Sequence, residues 1–330
     1  MSYFSSPKSY IENLPDSCSK TIHSGGNVVY GSHNQIYRDL IIVKSLTKAK
    51  FPVYLVTSKI TKKDYAMKVF GYENRQPHLY FKNETRFACL QHPNVVRNLF
   101  FEPNRKAKFE GDEMQISYTI MEYAQHGDFF SFLKNHHHEI DDKLVRTYFR
   151  QLIDGLEYLH NNDVAHMDLK LENLLLSNDF LLKIADFDMA HFKEDAIIIS
   201  NGTKYYRAPE VMKGKCNIPK MADIFSAGVI LFTLKTKGIF PQFESNEIEG
   251  IQFSDLLYND TSEFWARHRK VQKLSEAFFD EDFKDLFTVM TKFNPDERAS
   301  IQDIKNSKWY NGPIYSPEEL VQKVSRIFFH

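Results

Sequence analysis

Cysteine is scarce in this chain. Cys18, Cys89 and Cys216 form an odd, unpatterned set that suggests no disulfide framework, so a reducing cytoplasmic setting, or a nuclear one, is expected. Long apolar runs are also missing: none approaches the roughly 20 residues that span a bilayer. The longest candidate, Ser226 to Leu234, reads as a buried helix. Charge of one sign is lacking too. Forty-two Lys and Arg against 43 Asp and Glu leave a net charge of -1, giving no bulk attraction to nucleic acid or to anionic lipid, and neither is expected as a partner. The start, Met1-Ser2-Tyr3-Phe4, has no signal-peptide pattern, and Ser2 stands where myristoylation requires glycine. No internal repeat is visible.

What remains is an ordinary globular composition over 330 residues, a length that suggests about two domains or lobes. Residues 1–37 are rich in Ser, Asn and Gly without periodicity and read as a flexible extension. Short β-type runs follow at Leu40–Val43, Val53–Val56 and Tyr65–Phe70, then a helical stretch around Leu79 to Leu90, then strand-like sequence ending at Tyr118–Met121. Beyond Gly127 the pattern turns helical, with Val145, Phe149, Leu152, Ile153 and Leu156 on one face. A small β-rich lobe over 38–123 is therefore expected before a larger helical lobe over 124–311, with Glu122 to Gly127 as connector. The tail, 312–330, opens a helix at Ser316-Pro317-Glu318-Glu319 and places Leu320, Val321, Val324, Ile327 and Phe328 on one side. That side either docks on the large lobe, the preferred reading, or takes a regulatory partner.

The chemistry is concentrated in His166-Met167-Asp168-Leu169-Lys170-Leu171-Glu172-Asn173 and, thirteen positions later, Asp186-Phe187-Asp188. Asp168 can accept a proton from a hydroxyl and Lys170 can steady a phosphate, while Asn173 and Asp186 are hard oxygen ligands suited to magnesium. Leu174–Leu176 and Leu181–Ala185 read as a hairpin joining the two groups. This segment resembles the catalytic loop and metal-binding turn of eukaryotic protein kinases, and Lys170 resembles the Ser/Thr type.

The resemblance extends over about residues 39–311 and implies an α+β, bilobal protein-kinase-like fold using ATP and Mg2+. It implies that Lys68 holds the α- and β-phosphates and pairs with Glu84, although the link from Glu84 to His92-Pro93-Asn94 is one residue short of the family pattern. It places Met121 beside the adenine, the backbone groups of Glu122 and Ala124 on its edge, and Val53, Ala66 and Leu175 around the base. Asp128 faces the ribose or, with Glu172, a basic substrate residue. Glu210 pairs with Arg298, and Asp223 anchors the catalytic loop. His136-His137-His138 reads as a solvated loop.

Three departures stand out. Thr47, Ala49 and Pro52 replace the glycines of the phosphate-covering loop; Pro52 fixes φ and deletes an amide donor, so weaker phosphate cradling is expected. Met167 replaces the usual arginine, and Ala196–Ile199 fills the stretch of the activating Ser/Thr, leaving Ser200. Independence from activation-loop phosphorylation follows. Asp188 replaces the glycine of Asp-Phe-Gly; it is expected to bear a left-handed backbone penalty and to be solvated, with a place near the metals as the alternative. The function implied is transfer of the ATP γ-phosphate to Ser/Thr hydroxyls of protein substrates, with a basic residue upstream. A pseudokinase scaffold is the alternative, and a small-molecule kinase a third.

Overall fold

The computed structural model describes residues 34–47, 50–73, 76–109, 112–192, 203–214, 216–241, 257 and 260–329. The first 33 residues, Lys48, Ala49, Ala196–Ile199 and Ser200 lie outside them. The chain forms two compact units. One holds the described residues through Ala124 together with Asp186–Asp188; the other holds Gln125–Ala185 and the described residues from Met189 on.

The first unit is an antiparallel sheet of β1 (Leu40–Thr47), β2 (Val53–Ser58), β3 (Asp64–Phe70), β4 (Asn98–Phe109) and β5 (Asp112–Glu122), in the order β1-β2-β3-β5-β4. Alternation in the central strands buries Val56, Met67, Val69, Ile116, Tyr118 and Ile120 as one cluster. The register sets Lys68 opposite Val53 on one side and Thr119 on the other. β1 is an edge strand, bulged between Ile42 and Lys44 and again between Ser45 and Thr47. The helical stretch expected to reach Leu90 is shorter: α1 spans Leu79–Arg86. Phe87, Ala88 and Leu90 close it with bonds to carbonyls three residues back, ahead of Pro93. Its inward face carries Phe81 and Glu84, three residues apart.

The second unit is mainly helical, with α2 (Phe129–His136), α3 (Asp142–Asn161), α4 (Pro209–Met212), α5 (Pro219–Lys235), α6 (Thr261–Gln272), α7 (Glu281–Met290), α8 (Ile301–Asn306) and α9 (Pro317–Phe329). Asp141 caps α3 through Leu144 N at 2.8 Å, and the expected face of α3 is buried. α5 is buried all round from Ala222 to Lys235, as a helix apolar on every side must be. Short strands β6 (Val164–Ala165) with β9 (His191–Phe192), and β7 (Leu174–Leu176) with β8 (Leu182–Ile184), bracket the motif-bearing segment. The tail helix is docked: Leu320, Val324 and Ile327 are buried, and the Phe328 ring lies against Phe132, Phe180, His126 and His136. Of the three histidines, His136 ends α2 and His137 and His138 open a 3-10 turn. No helix of the described residues is long and apolar enough to cross a membrane. The fold is α+β, with a five-stranded antiparallel small lobe and a helical large lobe.

Candidate functional site

The candidate site residues gather in two constellations, one in each unit. In the first, Lys68 stands on β3 with its ammonium inside a ring of acids. It donates to Glu84 Oε2 at 2.6 Å, Asp186 Oδ1 at 2.5 Å and Asp188 Oδ2 at 3.2 Å, which uses all three N–H donors. Burial opposes the lysine charge, but Asp186, Glu84 and Asp188 outweigh it and hold the group protonated well above its ordinary range. Burial pushes the Glu84 carboxyl up to about 7, with Lys68 pulling the other way. The short link after Glu84 does not keep it from Lys68.

Asp188 overturns both parts of its expectation. The left-handed backbone falls at Asp186, with φ 71°, and Asp188 is absent from the positive-φ residues. Nor is its carboxylate solvated: only 13% of the side chain is exposed, and it faces Lys68. The reason is attraction to a buried ammonium, together with a main-chain tie, Asn83 Nδ2 to Asp188 O at 2.8 Å. Phe187 lies 6.1 Å from Phe87, ring to ring.

Val53, Ala66, Met121, Glu122 and Ala124 all belong to this unit. Ala66 pairs with Leu55 and Met121 across the sheet, and Met121 and Ala124 are buried. The Glu122 N–H donates to Arg97 O at 3.1 Å, and its carboxylate accepts from Arg97 N at 2.8 Å. The glycine-poor loop is held in another way. Thr47 Oγ1 accepts from Val53 N at 3.3 Å and Pro52 O from Val69 N at 3.0 Å. The Phe51 ring packs on Phe70, His78 and Tyr80 at 4.9–5.3 Å.

In the second unit, Asp168 accepts from Lys170 Nζ at 2.6 Å through Oδ2, and from Thr203 N at 2.9 Å through Oδ1. The Asn173 amide donates to the Asp168 carbonyl at 2.9 Å and its carboxylate at 3.2 Å. The carbonyl oxygen of Asn173 is therefore the atom left to offer a metal. The Asn173 side-chain oxygen and the Asp186 carboxylate are each hard oxygen donors of the kind that magnesium takes. Met167, left-handed at φ 65°, is a strained position costing about 1–2 kcal/mol. It is held there by Asp223, which accepts from His166 N and Met167 N at 2.8 Å each. Asp128 caps α2, both of its oxygens accepting from Ser131. Leu175 lies on β7 and bridges to Asp128, and Glu172 is exposed. Glu210 and Arg298 form a two-pronged pair at 2.6 and 2.7 Å.

Three contributors escaped sequence reasoning. Thr203 was legible only as part of the Gly202-Thr203 string, Phe51 only as a member of the phosphate-covering loop with no role of its own, and Asn83 sits in a stretch that carries no motif.

Residues 51–310 match the protein kinase domain family. CBL-interacting protein kinase 11 of Oryza sativa subsp. japonica is 33% identical over 268 residues, covering 78% of this chain and 47% of its own length. The probable serine/threonine-protein kinase MARK-C of Dictyostelium discoideum is 30% identical over 266 residues, covering 78% of this chain and 31% of its own. NUAK family SNF1-like kinase 1 of Homo sapiens is 30% identical over 226 residues, covering 68% and 30%. The chain thus spans less than half the length of these relatives. With its buried lysine–carboxylate ring, its Asp168 loop and a family match over most of its length, the chain belongs to the protein kinase family, and its relatives are of serine/threonine type.

Proposed function

We propose that the chain is a Ser/Thr protein kinase that transfers the γ-phosphate of ATP to protein hydroxyls without activation-loop phosphorylation. The observation that carries the reading is the Asp168 carboxylate, oriented by Lys170 on one oxygen and Thr203 on the other. Asp168 takes the proton of the acceptor hydroxyl as its oxygen bonds to the γ-phosphorus; the bond from that phosphorus to the bridging oxygen breaks, and ADP leaves. Lys170 steadies the transferring group, and Lys68 holds the α- and β-phosphates while Glu84 aims it. Magnesium, held by Asn173 and Asp186, would supply charge neutralisation at the phosphate oxygens. Val53, Ala66 and Leu175 take the base beside Met121. The Glu122 carbonyl and Ala124 N–H read its edge, since the Glu122 N–H already serves Arg97.

Met167 supports the regulatory part, because an uncharged side chain beside the catalytic Asp leaves no buried cation for a phosphate to offset. Asp128 and Glu172 offer negative charge to a substrate with a basic residue upstream. The scaffold reading draws on the complete occupation of Lys68 by carboxylates. The discriminating experiment is transfer of labelled γ-phosphate from ATP to an arrayed peptide library, before and after phosphatase treatment of the enzyme. Transfer to Ser/Thr peptides, unchanged by phosphatase, is expected. Nucleotide binding with no transfer to any peptide would favour the scaffold, and loss on phosphatase treatment would refute the independence.

A further inference from the structure

Position 188 is glycine in the family pattern, and glycine offers Lys68 nothing. Here its carboxylate takes one of the three lysine protons at 3.2 Å, the longest of three contacts whose others are 2.5 and 2.6 Å. A phosphate oxygen approaching Lys68 must displace one acceptor, and the longest bond is the weakest held. The turn itself need not move in that exchange. The Asp188 main chain stays bonded to Asn83 on α1, the helix that also supplies Glu84.

We propose that Asp188 is a positioning residue of the nucleotide site, occupying the third proton of Lys68 until phosphate replaces it and fixing the Asp186–Asp188 turn on α1. The proposal rests on the kinase reading above. In the resting enzyme Asp188 keeps the ammonium aimed by holding its third N–H. It also has a cost. Once displaced, its carboxylate remains with those of Glu84 and Asp186, whose ligand oxygens lie within 4.8 Å of one another. That concentration of negative charge opposes the phosphates of an uncomplexed nucleotide. Asp188 therefore makes nucleotide binding lean more heavily on a divalent cation than glycine would.

The test is ADP affinity by titration calorimetry on the full chain, with a chelator and with magnesium, for wild type, Asp188→Asn and Asp188→Gly. Asp188→Asn removes the charge while keeping size and the main-chain bond to Asn83; Asp188→Gly also loosens the backbone. The expected result is that both variants bind metal-free ADP roughly ten-fold more tightly than wild type, and that magnesium brings the three affinities together. A variant that merely damaged the fold would bind more weakly in both conditions. That outcome, or metal-free affinities equal to wild type, overturns the proposal. Absence of ADP binding in all three proteins overturns the kinase reading itself and the proposal with it.

Discussion

Removing the Glu210 carboxylate is the perturbation whose size follows most directly from counted contacts. The Arg298 side chain has no exposed surface, and each of its five N–H donors has an acceptor. Two go to Glu210 at 2.6 and 2.7 Å, and three to the carbonyls of Lys292 at 2.7 Å, Met221 at 2.8 Å and Phe293 at 3.2 Å. The guanidinium also lies 5.0 Å from the Phe225 ring centre. In Glu210→Ala the cation stays buried with two donors unmatched and no counter-charge, which should cost about 3–5 kcal/mol rather than the ~1 kcal/mol of an ordinary hydrogen bond. Arg298→Lys should also be costly, since three donors cannot serve five acceptor sites. The double variant Glu210→Ala/Arg298→Met should cost less than the sum of its parts, because no charge is then stranded. Urea unfolding with an unchanged slope reads these differences. A loss below about 1 kcal/mol in Glu210→Ala, the value of a surface pair, would refute the reasoning.

Three further outcomes follow from packing and burial. His268, enclosed by Phe232 and Phe264, has its pKa lowered by burial to about 4. The folded state then binds fewer protons than the unfolded chain, so this contribution is complete above pH 6.5 and lost as pH falls toward 4. Roughly 2 kcal/mol should disappear between pH 7.5 and pH 5; His268→Leu should flatten that part of the stability profile, and an unchanged slope would contradict it. At Gly228 an added Cβ would meet Thr291 Cγ2 at 2.8 Å and Met290 Cβ at 3.1 Å. Gly228→Ala should therefore lose about 1–3 kcal/mol by overpacking despite better helix propensity, and a raised melting temperature would count against the close approach of α5 and α7. Phe328→Ala should release α9, detected as faster proteolysis of the tail at Lys323 and Arg326; equal cleavage rates would show that the aromatic contacts do not hold it.

Patterns that depend on local periodicity were readable from residues alone. Ser226–Leu234 reads as a buried helix, and the apolar positions of α3 repeat at helical spacing. Pairings across long separations, such as Lys68 with Glu84 and Glu210 with Arg298, were reached through motif resemblance and not through spacing. Asp188 was misread because sequence gives no direction for a side chain: the same residue is solvated or buried according to whether an ammonium lies within reach. Its backbone was misread as well, since the left-handed turn sits two residues earlier, at Asp186. Phe51 was invisible for a related reason. Its ring packs on Phe70, His78 and Tyr80, contacts that only the folded sheet and helix bring together.

The central claim, that Asp168 receives the proton of an acceptor hydroxyl, is tested most directly by single-turnover transfer from saturating ATP in wild type and Asp168→Asn, with ATP affinity measured in parallel. The expected result is a rate lowered roughly 10²- to 10⁴-fold with affinity nearly unchanged. Equal transfer rates in the two proteins would contradict it.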